Sequence, residues 1–353
     1  MTNLRVAYMP KNKLSFSPKK VVKGLMNSLP ERSRTVLMQR FGLTEKGVRE
    51  TLEAIGKKNN ITRERVRQIE NLALALIRKS RQYSDLTPQL NELAAEMQSF
   101  GGIVHEQEFL DSLTKDSDLQ NYINFLLVLG DGFTKLKEND EFHHRWTVDE
   151  PVARNIEDAL RNLYRNLSDE DLITEHELVQ KFLDELKQIA DKEHDSELAL
   201  RWLRLAKRLD RNHLGEWGVS DSPNVHARGM RDYAYLVLRK HGSPMHFAEV
   251  AKAITKTFAK KAHTATCHNE LIKDGRFVLV GRGLYALKNW GYTRGTVRDV
   301  IGNVIKQGGA LTKEEILSRV MKERYVKENT VLVNLQNSKY FRKDTNGKYA
   351  LSE

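Results

Sequence analysis

The apolar positions of this chain fall into helix-period stripes separated by short alternating runs. That order predicts a mainly α protein of tandem small domains with short β-hairpins. Near the N-terminus Val36, Leu37 and Phe41 recur at helical spacing, and Gly42 follows as a C-cap. A second helix is expected from about Lys46, carrying Leu52 and Ile55, with Gly56 beyond it. Asn59-Asn60-Ile61 reads as a turn, and Thr62 as the N-cap of a helix opening Arg63-Glu64-Arg65-Val66-Arg67-Gln68-Ile69-Glu70. Val66, Ile69 and Leu72-Ala73 make an apolar stripe expected to pack inward, which turns Arg63, Glu64, Arg67 and Gln68 outward. Such a helix suits a major groove, where its N-terminal residues reach base edges and its dipole favours phosphate. Arg pairs with guanine, Gln with adenine, and Glu accepts from cytosine, so one short stretch carries three reading chemistries.

The rest of the chain shows a recurring unit of about 60–75 residues. Each copy opens on a small turn and a short polar-start helix: Gly101-Gly102-Ile103-Val104-His105-Glu106, Leu172-Ile173-Thr174-Glu175, Gly242-Ser243-Pro244-Met245-His246-Phe247 and Gly308-Gly309-Ala310-Leu311-Thr312-Lys313. Periodic helices follow, and each copy closes on strand-like pieces. In the last two copies these flank a turn: Arg276 to Val280 and Leu284 to Leu287 around Gly281-Arg282-Gly283, and Tyr340 to Lys343 and Lys348 to Leu351 around Asp344 to Gly347. The first two copies close on Trp146-Thr147-Val148 and Trp217-Gly218-Val219, aromatics expected to pin the hairpins onto the core. Helix, helix, hairpin is the winged-helix order, so a helix-turn-helix followed by about four winged-helix-like modules is the expected architecture. The division is 1–20 as a basic arm, 21–84 as the helix-turn-helix, 85–150 and 151–226 as acidic modules, and 227–291 and 292–353 as basic ones.

Charge sharpens this picture. Residues 1–84 hold 19 Lys/Arg against 6 Asp/Glu, a net of +13. Residues 85–226 hold 15 against 30, a net of −15, and residues 227–353 hold 24 against 11, again +13. The basic ends suit a phosphate backbone; the acidic middle would be repelled by it and is expected to meet protein or serve as a spacer. In the third module Lys252, Lys256, Lys260, Lys261 and Lys273 add basic surface, and Arg282 at the hairpin tip is a candidate wing contact. The fourth offers Lys322, Arg324, Lys327, Lys339, Arg342 and Lys343.

Two segments resemble known families. Residues 29–79 resemble region four of the housekeeping sigma factors of bacterial RNA polymerase, through Leu29, Arg32, Val36-Leu37, Arg40-Phe41-Gly42-Leu43, Thr51-Leu52-Glu53, Ile55-Gly56, Thr62 to Glu70 and Ala73-Leu74. The resemblance implies a helix reading the upstream promoter hexamer, with Arg63, Glu64 and Gln68 facing bases and Arg32, Thr51, Leu52, Thr62, Arg65 and Arg67 at the phosphate backbone. Asn59 stands where that family has an apolar residue, which predicts looser turn packing, and nothing resembles its core-binding and promoter-melting regions. Residues 230–291 resemble the HARE winged-helix family through Tyr235 to Leu238, Gly242 to Phe247, Glu249-Val250, Arg276 to Val278 and Gly281 to Leu287. This second resemblance implies a unit that binds DNA or associates with polymerase.

No apolar run spans a bilayer, and the N-terminal twenty residues lack the core of a signal peptide. The single Cys267 excludes an internal disulfide and fits a reducing cytoplasm. His263, Cys267 and His268 cluster without the four ligands that zinc requires, and His143-His144 reads as a loop without metal partners. No phosphate-binding lysine loop, paired-carboxylate signature or nucleophile elbow is present, so no catalytic residue, cofactor, metal or small-molecule substrate is expected. The expected function is a cytoplasmic, sigma-factor-like DNA-binding transcription factor. Its expected partners are promoter-like double-stranded DNA and the RNA polymerase core. The alternatives are a delta-like polymerase accessory protein that does not read sequence, and a DNA-recognition subunit of a modification or defence system.

Overall fold

A computed structural model describes residues 14–189, 195–293 and 295–352; Lys11 and Lys13 of the basic arm lie outside them. The described residues form seventeen α-helices and ten short strands, a mainly α architecture. No helix among them is long and apolar enough to cross a membrane. The chain divides into two compact units, residues 1–210 and 211–353.

The first unit opens with α1 (Pro18–Met26), α2 (Glu31–Phe41), α3 (Leu52–Lys58) and α4 (Arg63–Arg78). These four are followed by the short α5 (Arg81–Ser84) and by α6 (Thr87–Ser99). A first winged segment is built by α6, β1 (Ile103–His105), α7 (Glu106–Leu113), α8 (Ser117–Leu129), β2 (Thr134–Leu136) and β3 (Arg145–Thr147). Its sheet runs β1-β3-β2, all antiparallel, with Val104 and Lys135 both opposite Trp146. The expected polar-start helix is therefore preceded by an edge strand, and a full helix comes before the turn. Helices α9 (Glu150–Arg165), α10 (Glu175–Ile189) and α11 (Ser196–Leu203) complete the unit, and the chain leaves it through β4 (Leu209–Arg211).

Helix α8 organises this unit. Asp116 caps it by accepting from the Asp118 and Leu119 amides, and every residue from Gln120 to Leu127 is buried. A helix without a polar face belongs in the middle of a structure. One apolar core therefore runs from Val22, Leu37, Phe41 and Ile77 of the N-terminal helices through Phe125 to Trp146, with Phe41 and Phe125 edge to face at 5.0 Å. Polar contacts lock the joint. Asn121 donates to the carbonyls of Gly42 (3.2 Å) and Gly47 (2.8 Å) and accepts from the Arg49 guanidinium (2.7 Å). The Tyr122 hydroxyl donates to Leu43 O at 3.2 Å, and Arg78 donates to Val128 O and Leu129 O at 3.0 Å each. The start of the acidic middle is thus neither a spacer nor a free surface at this joint: it carries the N-terminal helices.

The wing between β2 and β3 is captured by the chain that follows α11. Phe142 bridges Ala206, the His143 amide donates to Leu205 O (3.0 Å) and the Lys207 amide to Glu141 O (2.7 Å). Arg145 of β3 reaches Glu157 of α9 at 2.6 Å, both deeply buried.

In the second unit β5 (Trp217–Val219) precedes a second winged segment of α12 (Met230–His241), β6 (Met245–His246), α13 (Phe247–Phe258), α14 (Thr264–Lys273), β7 (Phe277–Leu279) and β8 (Leu284–Leu287). Its sheet order is β6-β8-β7. Arg276 ties it together by donating to Asp232 of α12 (2.9 Å) and to Asp274 (2.7 Å). A third winged segment follows, α15 (Val297–Gly308), α16 (Lys313–Glu323), α17 (Glu328–Leu335), β9 (Phe341–Lys343) and β10 (Tyr349–Leu351), with Leu311 bridging Tyr349. The wing of the second is again captured by the third: the Tyr325 amide donates to Val280 O at 2.7 Å, and Gly281 bridges Tyr325. Arg324 was expected as a surface cation; it is 2% exposed, and its guanidinium donates to the carbonyls of Thr293, Gly295 and Glu323. Its neighbour Tyr325 takes the outward position.

Trp146 and Tyr285 are buried as expected of closing aromatics, and Trp217 is buried as well. Cys267 is buried too, which pushes its thiol up to about 11, and His268 stacks on Phe247 at 4.2 Å.

Candidate nucleic-acid interface

Helices α2, α3 and α4 are held by a small core of their own, Val36, Ile55, Val66 and Ile69, with Leu52 and Ile61 packed against it. Helix α3 starts at Leu52 rather than near Lys46. Gly47 takes a left-handed φ of +62° and the Glu50 amide returns to Gln39 O (3.0 Å), which keeps residues 44–50 as a loop. Thr51 then caps α3 by accepting from the Ala54 amide at 3.1 Å.

Gly56 lies inside α3, not after it, because the two helices cross there. A Cβ on Gly56 would come within 2.7 Å of Ile61 O. Asn59 closes the helix through its side-chain amide, which donates to Ile55 O at 2.8 Å. The looser packing expected of a polar residue here is offset by that bond. Asn60 turns the chain at φ +53°, a conformation Asn tolerates well. Thr62 caps α4, accepting from the Arg65 amide at 3.1 Å.

Helix α4 is amphipathic as expected at its N-terminal end. Val66 is fully buried and Ile69 nearly so, while Thr62, Arg63, Glu64, Arg65, Arg67 and Gln68 are all exposed. Leu72 departs from expectation: it is 59% exposed, and Ala73 with Leu74 takes the inward position. At about 100° per residue Leu72 stands off the stripe of Val66, Ile69 and Ala73. Ala73, Leu74 and Ile77 join the larger core to which α8 also contributes. Arg32 and Thr51 are exposed on the same three-helix head, and Leu52 is half-buried against its core.

The outward side chains are paired with one another. Arg67 donates to both carboxylate oxygens of Glu64, at 2.9 and 2.6 Å, and Arg65 donates to Gln68 at 3.1 Å. The hydrogen bond from Arg67 holds the Glu64 carboxyl below its usual range. Any ligand reaching these groups must exchange those pairs for its own. Arg63 has no such pair among the described residues and stands beside a shallow hollow of about 460 Å³ that also involves Glu53, Lys57, Asn60 and Thr62. Lys57 and Asn60 were not among the expected contacts; Lys57 pairs with Glu53 at 3.0 Å at i,i+4 spacing.

Other matched residues have structural work. Arg40 of α2 approaches Glu70 of α4 at 3.5 Å and donates to Glu50 O at 3.1 Å. Burial raises the Glu70 carboxyl despite the nearby Arg40 charge. In the second unit Lys252, Lys256, Lys260, Lys261, Lys273 and Arg282 are all exposed, with Lys260 over the Tyr233 ring at 4.5 Å.

Residues 25–79 match the family described as Sigma-70, region 4. Residues 228–290 match the HARE-HTH family, a helix-turn-helix domain whose description names ASXL and restriction endonuclease. Among curated proteins, RNA polymerase sigma factor RpoD of Helicobacter pylori is 46% identical over 57 residues, covering 16% of this chain and 8% of that protein. RNA polymerase sigma factor SigA of Clostridium acetobutylicum is 50% identical over 54 residues, 15% of this chain and 14% of that protein. RNA polymerase sigma factor SigA1 of Synechococcus elongatus is 47% identical over 57 residues, 16% and 14% respectively. The chain thus spans only 8% to 14% of the length of these relatives, and the likeness is confined to the N-terminal helices.

Proposed function

We propose that this protein binds promoter-like duplex DNA through its sigma-like head and works with RNA polymerase in transcription initiation or its regulation. The carrying observation is the orientation of α4. Its capped N-terminal turn presents Arg63, Glu64 and Gln68 to solvent while Val66 and Ile69 anchor the opposite face. A rigid helix presenting a fork donor, an amide and a carboxylate is built to discriminate base edges. Arg32, Thr51, Thr62, Arg65 and Arg67 surround it as backbone contacts, and Leu52 places the first amides of α3 toward a phosphate. Base contact by Glu64 and Gln68 then requires opening of the Glu64–Arg67 and Arg65–Gln68 pairs. DNA supplies replacement partners: phosphate for the arginines, exocyclic amines for the carboxylate.

The test is selection of bound duplexes from a random pool, followed by affinity measurements on the selected sequence. Arg63→Ala and Gln68→Ala should each weaken binding roughly ten- to a hundredfold and relax preference at one position. Unchanged affinity and preference in both variants overturns the reading. Capture of core polymerase by both parent and variants, with only sequence-blind DNA binding, would point instead to an accessory protein.

A further inference from the structure

The wing of the second winged segment does not end in its own hairpin. Its backbone at Val280 and Gly281 is joined by Tyr325, contributed by the third segment through an amide-to-carbonyl bond of 2.7 Å. The approach is so close that a Cβ on Gly281 would stand 2.7 Å from Tyr325 O. Behind it, Arg324 is buried and donates to the carbonyls of Thr293 and Gly295. Burying a guanidinium is costly unless its donors are satisfied, and here it fixes the backbone of the next residue.

That next residue, Tyr325, is 52% exposed, with its side chain beside that of Tyr292. Arg282, one residue along the wing from the bridge, is exposed as well. Lys322 and Lys327 flank Tyr325 in the chain and are exposed. The carboxylate between them in sequence, Glu323, is engaged by the Thr293 hydroxyl at 2.9 Å. An outward aromatic whose backbone is bonded to the wing that carries an exposed arginine fits the composition of a surface for nucleic-acid strands, in which rings take up bases or sugars and cations take up phosphates.

We propose that Arg282 and Tyr325, brought together from two winged segments, form a sequence-independent contact for a nucleic-acid strand, Arg282 pairing with a phosphate and the Tyr325 ring lying against a sugar or base. Neither segment holds this site alone. The inter-segment bond supplies the register, so little backbone ordering remains to be done on binding. The contact is separate from the reading helix and does not depend on it.

The experiment uses the full chain carrying Arg63→Ala and Gln68→Ala, so that loss of the head's reading cannot be mistaken for loss of this site. Binding to a labelled random-sequence duplex, and to a single strand of the same length, is titrated across salt. Arg282→Ala should weaken binding several-fold and lower the slope of log affinity against log salt by about one. Tyr325→Ala should weaken it several-fold at unchanged slope, and Tyr325→Phe should retain the parent affinity, because the ring rather than the hydroxyl makes the contact. A response confined to the single strand assigns the ring to an unpaired base; a response shared by the duplex assigns it to the backbone. If Arg282→Ala and Tyr325→Ala both bind either probe as the parent does, with unchanged thermal unfolding, the site does not exist.

Discussion

The winged segment of the acidic middle and those of the basic C-terminal unit share an architecture and differ in where their ionic groups are engaged. In both units the wing is captured by the chain that follows, at Phe142–Ala206 in one and Gly281–Tyr325 in the other. In the acidic region the cations are neutralised locally: Lys135 by Glu106, Arg145 by Glu157, Arg161 by Glu141, Arg204 by Glu108 and Lys207 by Glu138. In the basic unit the carboxylates are the engaged partners. Glu249, Asp299 and Glu315 close capping boxes, Asp232 and Asp274 hold Arg276, and Asp344 accepts the amides of its turn. The lysines around them are left to face solvent. One fold therefore serves as a phosphate-repelling body or a phosphate-attracting one, according to which sign of charge its sequence leaves in excess.

The largest expected effects break the acidic side of this comparison. Arg145→Ala removes the closer of two partners of the buried Glu157, leaving Arg161 at 3.6 Å, and strips the Lys137 and His143 carbonyls of a donor, so it should cost about 3 kcal/mol of unfolding free energy. Phe125→Ala should cost a similar amount, about 3–5 kcal/mol, by emptying the core that α8 shares with the head. Because that core is continuous, the helix-turn-helix should unfold together with its acidic neighbour in denaturant. A head that melts separately, at an unchanged midpoint, would show the joint to be incidental. In the basic unit Arg324→Ala orphans carbonyls rather than a charge, and a smaller loss of about 1–3 kcal/mol is expected in the same measurement.

Charge deletions sharpen the contrast at lower amplitude. Lys256→Ala, an exposed cation of the basic unit, should lower the salt slope of DNA binding by about one. Lys207→Ala, already neutralised by Glu138, should leave both slope and affinity where they were. Equal effects from the two would dissolve the distinction between free and engaged cations.

The smallest effect is a pH dependence lodged in the acidic region. His105 and His143 pack edge to face at 5.1 Å, and burial pushes both below the ordinary value of 6.5. His105 also caps α7, its Nδ1 accepting from the Glu108 amide at 3.3 Å, which requires a free lone pair there. The unfolded chain then takes up protons before the folded one. Stability from these rings is present above about 6.5 and declines as pH falls through that value toward the lower folded-state values. Thermal unfolding of the first unit should move to lower temperature between pH 7.5 and 5.5, and His143→Gln should flatten the dependence. A transition that rises on acidification reverses the sign and removes the assignment.

Much of the head was legible because its signals are local. Thr62 as a cap, Asn60 at the turn and the Val66–Ile69 stripe each act through neighbours three or four residues away; Thr51 caps α3 instead of lying within a helix expected from about Lys46. Hairpins at Gly281–Gly283 and Asp344–Gly347 were legible for the same reason. Leu72 was misplaced because six residues after Val66 it stands about 120° round the helix, off the inward stripe that Ala73 continues. Arg324 was misplaced because a cation in an amphipathic segment looks solvent-facing until three carbonyls converge on it, two of them from a distant loop. The run from Tyr122 to Leu129, apolar on nearly every side, was the one available sign that α8 would lie at the centre of its unit.

Side-chain period, capping residues and turn chemistry were enough for the amino-acid sequence itself to determine the helix-turn-helix, the mainly α class and the outward face of α4, since these depend on contacts within a turn or two of chain. Only the tertiary structure decided that an acidic segment would carry the head, that each wing would be closed by the segment after it, and which charges would be left free. Those outcomes depend on groups as far apart in sequence as Gly42 and Asn121, or Gly281 and Tyr325, whose meeting no local pattern encodes.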